Sequence, residues 1–227
     1  MDLTSYLLGK KSSGGGGGGG LDWTALGFES TPEAIVIGYN TAKDIKDNWV
    51  VKSSYANEYE SNKDIIIFPV VDLSSATNVT EMFSSCSCLF AVGDMNCSNA
   101  TSFNRLFGNC SALKSIGVID CSGVSNSNGA YYMFNNVYYL EYIGGLKDLG
   151  KSFGNSWSEN SFTLDLSPCN KLTHDSLMNV INSVYDLKSK GTNVKNQKIK
   201  VGSTNLAKLS AEEIQAAANK GWNVVAS

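Results

Sequence analysis

The chain has 227 residues, a formal net charge of -3, and 42% hydrophobic against 17% charged residues. That is enough apolar material for one sizeable domain and excludes disorder throughout. Of the 18 basic residues a single one, Arg105, is arginine, so the forked donor that most often reads phosphates and guanine edges is nearly absent and no nucleic-acid partner is expected.

The N-terminal stretch MDLTSYLLGK has neither a basic leader nor a long hydrophobic core, and no apolar run has the length of a membrane span; neither Sec-type export nor membrane insertion is expected. Without a signal peptide, the six cysteines are expected as free, mostly buried thiols rather than as a disulfide framework. Residues 1–13 read as an arm, and the run from Gly14 to Gly20 as a flexible linker. That run is no phosphate cradle, because Lys10, Lys11, Ser12 and Ser13 precede the glycines instead of following them. Leu3, Tyr6, Leu7 and Leu8 form a short apolar segment that the linker lets reach a neighbour, as a peg would. Residues 21–64 read as an N-terminal cap, with a capping helix between Asn40 and Tyr59 centred on Trp49.

From Ile65 the chain repeats. Asp72, Asn96 and Asp120 recur about 24 residues apart, as do Met82-Phe83 and Leu106-Phe107, and Met133-Phe134 follows about three residues late. The delay places an insertion around Ser127 to Ala130. Further columns are Cys86, Cys110 and Val137; Leu89, Leu113 and Leu140; Val92, Ile116 and Ile143; and Gly93, Gly117 and Gly144. Such a period predicts a solenoid over residues 65–172, each unit supplying one short strand and one turn segment, with inward apolar columns and glycines at tight bends. The Asp72, Asn96 and Asp120 column reads as turn capping in preference to a cation site, and the cysteine columns as buried thiols in preference to zinc ligands. No metal or cofactor is expected.

Residues 173–227 read as a C-terminal α/β cap. Thr173 caps a helix carrying the stripe Leu177, Val180, Ile181, Val184 and Leu187. A strand from Lys198 to Val201, a helix capped by Ser210 with Glu213 at its third position, and a strand from Trp222 to Ala226 complete it.

The stretches SSATNVTEMFSSCSCL and NATSFNRLFGNCSALKSIG resemble BspA-like leucine-rich repeats. The arm YLLGKKSSGGGGGGG and the tail, LTHDSLMNVINSVYDL with GSTNLAKLSAEEIQAAANKGWNV, are similar to those of repeat proteins from phages and prophages of Gram-positive gut bacteria. The resemblance implies an α/β fold: a leucine-rich-repeat solenoid with a short-strand parallel sheet, an N-terminal capping helix and a C-terminal α/β cap. It also implies a binding or structural role on a virion, with a bacterial cell-surface adhesin as the alternative. The expected partners are another virion structural protein at the arm and a host surface protein or glycan at the repeats; a homo-oligomer stays open.

Nothing in the chain spells a catalytic motif. His174, the one histidine, falls at a helix start as a surface residue, and neither a nucleophile elbow nor a cofactor fingerprint is present. A carboxylate pair such as Glu58 and Glu60 has nothing to set it across a sugar, and a glycan hydrolase ranks last among the functional classes. Tyr131, Tyr132, Tyr138, Tyr139 and Tyr142 cluster in and after the inserted unit, where they serve either as a recognition surface or as filling for the gap the insertion makes.

Overall fold

The computed structural model describes residues 33–154, 157–191 and 194–227, with backbone alone for 33–39. The arm residues Leu3, Tyr6, Leu7 and Leu8 and the glycine run lie outside the described residues. The fold is mixed α/β, with short parallel strands in two sheets.

Strands β1 (Ile67–Phe68), β2 (Ala91–Val92), β3 (Ser115–Asp120) and β4 (Tyr142–Lys147) form one parallel sheet in chain order. The register pairs Phe68 with Val92, Val92 with Ile116 and Ile116 with Ile143, so the column read from the sequence is a row of neighbours and Phe68 extends it. All four are fully buried, as are Leu89, Leu113 and Leu140 just ahead of the strands. Burial on one side of such short strands is useful only if each unit covers the next, which is why the period appears in the sequence at all.

Behind the sheet each unit runs through successive four-residue turns, and alternate N–H groups donate to carbonyls of the following unit: Tyr59 to Met82, Phe83 to Leu106, and Phe107 to Met133. Tyr59, Phe83, Phe107 and Phe134 stack with ring centroids 5.8 Å apart at each step. Trp49 closes this end of the stack, lying 5.0 Å from the Tyr55 ring and donating its indole N–H to the Asp72 carbonyl at 2.8 Å.

Several expectations shift. The first helix among the described residues, α1 (Glu33–Asp47), lies earlier than the Asn40–Tyr59 expectation. Ile45, Trp49, Tyr55 and Tyr59 are spaced like a helical stripe, but Tyr55 and Tyr59 already belong to a first turn unit bonded to Asn78 and Met82. The insertion falls at 125–128, because Gly129 and Ala130 already occupy the next unit's register: the Gly129 carbonyl accepts from the Phe103 N–H at 2.6 Å, and Ala130 is buried. The glycine column does not make bends. Gly117 and Gly144 have no positive φ; a Cβ on Gly117 would lie 2.2 Å from Asp94 Oδ1, and one on Gly144 2.8 Å from the Gly117 carbonyl carbon. Close approach of consecutive units excludes side chains there.

The turns are built by non-glycine residues at positive φ: Asn57, Glu81, Arg105 and Tyr132 in one column (58, 55, 49 and 54°), and Ser61, Ser85, Asn109 and Asn136 in another (59, 61, 62 and 58°). Asp72 and Asp120 cap turns through Ser74 and Ser122, each accepting from the N–H and hydroxyl two residues on. Burial works to raise the Asp120 carboxyl, but the Lys147 ammonium at 2.7 Å and the Ser122 donors outweigh it and hold it below the usual carboxylate range.

The second parallel sheet joins β5 (Thr163–Leu166), β6 (Gln197–Val201) and β7 (Trp222–Ala226). β5, which the sequence placed with the repeats, pairs with β6 instead. Helix α2 (His174–Ser183) is capped by Thr173 and ends before Val184, and the stripe continues to Leu187 in a 3₁₀ turn (Leu187–Lys190). The short α3 (Ser203–Leu206) leads to α4 (Ala211–Asn219), which starts with the Ser210–Glu213 capping box. One face of α2 lies along β4: the Ser176 hydroxyl accepts from the Ile143 N–H and donates to the Glu141 carbonyl, Asn179 donates to the Ile143 carbonyl, and Ser183 accepts from the Leu146 N–H.

Candidate functional site

Two side-chain rows cross the turn face because every unit places equivalent residues at the same left-handed positions. Turns of this kind favour Asn or Gly at positive φ, yet three units in a row carry the long side chains Glu81, Arg105 and Tyr132. Arg105 reaches Glu81 at 3.3 Å and lies 5.7 Å from the centre of the Tyr132 ring. The second row is joined by hydrogen bonds. The Tyr138 hydroxyl donates to Asn136 Oδ1 at 2.6 Å, the Asn136 amide to Asn109 Oδ1 at 2.8 Å, and the Asn109 amide to the Ser85 hydroxyl at 3.5 Å.

Between the rows runs an open groove of about 560 Å³ whose floor is the column Glu60, Ser84, Gly108 and Asn135. Ser84 and Gly108 are buried and keep the floor low. Glu60 stands exposed at one end, and its carboxylate makes no hydrogen bond or ion pair among the described residues. Tyr132 stands at the other end beside Tyr131, their ring centroids 3.8 Å apart, and the neighbouring Tyr132 phenol raises the Tyr131 phenol above its ordinary range.

The five tyrosines do not form one patch. Tyr131, Tyr132, Tyr138 and Tyr139 are exposed, at 42 to 54%. They are therefore surface residues, and the core around the inserted unit is closed by Ala130, Met133, Phe134, Val137 and Leu140 without them. Tyr142 is half-buried in β4, level with Ser115 and Ala91 on the sheet side.

Comparison of the chain with family models, with curated proteins and with solved structures found no match in any of the three. The site therefore stands on its geometry. Sequence reasoning missed Glu81, Asn109, Asn135 and Gly108, and noted Arg105 only for its rarity. The available signal was the repeat itself: reading two positions ahead of Phe83, Phe107 and Phe134 gives Glu81, Arg105 and Tyr132, a column with no apolar consensus.

Other chemistry-bearing groups sit apart. His174 opens α2 and meets Glu213 at 2.8 Å, which raises the imidazole above its ordinary value. Glu58 is ion-paired with Lys52 at 2.5 Å and does not line the groove with Glu60. All six cysteines are free, five of them buried and Cys88 exposed. Cys86 and Cys110 donate to the Tyr59 and Phe83 carbonyls of the preceding unit at 2.9 Å.

Proposed function

We propose that the chain is a non-enzymatic binding protein built on BspA-like leucine-rich repeats, which presents the tyrosine-bearing end of its turn face to a host surface protein or glycan. One observation carries this reading: Tyr131, Tyr132, Tyr138 and Tyr139 are exposed at positions where the preceding unit has Asn104, Arg105, Ser111 and Ala112. The repeat requires no aromatic there, and large exposed tyrosines offer a stacking face and a hydroxyl at low entropy cost. The repeat assignment is supported by parallel pairing of residues 24, 24 and 27 positions apart, as in Phe68, Val92, Ile116 and Ile143.

The proposal sets the protein on a phage virion, as a tail or capsid appendage held to another virion structural protein through Leu3, Tyr6, Leu7 and Leu8. The support is the resemblance of the arm and tail segments to those of phage repeat proteins. Two measurements test it. Deleting residues 1–20 is expected to remove the protein from particles analysed by mass spectrometry, and unchanged incorporation rejects the attachment. Replacing Tyr131 and Tyr139 together by serine is expected to abolish binding of the purified chain to host cells, and undiminished binding rejects the tyrosine face.

A further inference from the structure

We infer that the groove between the two side-chain rows is a binding site for a neutral oligosaccharide, a proposal that rests on the binding reading above and names its ligand class. Four features of the groove select that chemistry.

Charge comes first. Glu60 and Glu81 face a single guanidinium, Arg105, which is already engaged by Glu81 at 3.3 Å; the site is net negative and repels phosphates, sulfates and acidic sugars. Hydrogen-bonding capacity comes second. The Glu60 carboxylate and the Asn135 amide make no side-chain hydrogen bond among the described residues, and carboxylates and amides meet adjacent hydroxyls with paired acceptors and donors. Third, the Tyr132 ring, braced by Arg105 and Tyr131, supplies an apolar face for the C–H side of a sugar ring.

Gly108 is the fourth and most telling. It has no positive φ, and a Cβ there would meet nothing nearer than Arg105 at 3.4 Å, so neither backbone conformation nor unit packing demands a glycine. What a side chain would do is fill the middle of the groove. The floor spans three unit steps, about 14 Å at the usual strand spacing, the reach of a short chain of sugars. An extended peptide fits less well, since the groove offers it neither an unpaired strand edge nor apolar side-chain pockets.

The test is an array of neutral tri- to hexasaccharides of hexose, deoxyhexose and N-acetylhexosamine units, with sulfated and sialylated chains as the acidic arm, followed by calorimetry on the best binder. At least one neutral chain is expected to bind. Gly108→Leu is expected to weaken it about tenfold or more by occlusion, and Glu60→Ala about tenfold through a lost charge-assisted hydrogen bond. Glu60→Ala removes an exposed side chain without partners, so it reads the groove even where Gly108→Leu folds poorly in a thermal melt. Binding of acidic chains alone, no neutral binding at millimolar concentration, or neutral binding unchanged in both variants overturns the site. Host-cell binding that is lost in Tyr139→Ser but intact in both groove variants also removes the groove while leaving the binding reading in place. Sugar binding on the array with no binding to cells does the reverse.

Discussion

Phe107→Ala is the sharpest test of the stack. The side chain is fully buried, and its ring lies between Phe83 and Phe134, with centroids 5.8 Å away on both sides and interplanar angles of 3 and 24°. Truncating a core phenylalanine costs about 3–5 kcal/mol. Two aromatic partners are lost at once, and each such pair is worth about 0.5–1.5 kcal/mol beyond its buried area. The flanking rings belong to units pinned by their own backbone hydrogen bonds, Phe83 N–H to the Leu106 carbonyl and Phe107 N–H to the Met133 carbonyl, so the cavity cannot collapse. The expected loss is therefore about 4–5 kcal/mol, at the top of the range. Tyr59→Ala is the matched control, because Tyr59 ends the row, is half-buried and has one stacked neighbour; it should cost about 2 kcal/mol. Urea titrations followed by far-ultraviolet circular dichroism and tryptophan fluorescence, at a common slope, give both values. A Phe107→Ala loss no larger than that of Tyr59→Ala would refute the continuous ring stack.

Ser61 is exposed at φ 59°. Ser61→Gly should therefore raise stability by about 0.5–1 kcal/mol and Ser61→Val lower it by at least 1 kcal/mol in the same titration, and equal midpoints would remove the left-handed turn from the account. The raised His174 value makes its link to Glu213 stabilising at pH values below the ordinary histidine range, with the contribution lost as pH rises through the raised value. Melting temperature should decline across that window in the wild type, and Glu213→Gln should flatten the decline; an unchanged slope in the variant assigns it elsewhere. Burial pushes the Cys86 thiol up to about 11 and Cys97 to about 12, and raises Cys110, Cys121 and Cys169 well above the ordinary thiol range. Native protein at pH 8 should thus release one equivalent in a thiol-disulfide exchange assay, from Cys88, and six in denaturant. Rapid release of two or more contradicts the burial.

What could be read beforehand was whatever chemistry acts locally or recurs. The caps at Thr173 and Ser210 were legible because a cap is a contact over three residues, and the columns through Leu89, Leu113 and Leu140 because burial repeats with the unit. Helical spacing misled around Trp49, since a chain turning every few residues also returns apolar side chains to one side. The glycine column misled for the opposite reason: Gly117 and Gly144 answer to the neighbouring unit, a contact about two dozen residues away in sequence. The groove was invisible because its walls follow from positive φ at Glu81, Arg105 and Tyr132, residues whose identities favour no such conformation. The tyrosines were ambiguous until the insertion at 125–128 proved to form its own turn, closed by the Gly129 N–H on the Asn126 carbonyl, which left no void for them to fill.

Ser176, Asn179 and Ser183 occupy the outer hydrogen-bonding positions of β4 with side-chain atoms. A pile of parallel strands is a template for its own continuation, and head-to-tail growth into fibres needs a bare rim at either end. Three small polar residues on one helix fill the rim that a second molecule would use. At this rim the length of the pile is thereby written into the polypeptide itself.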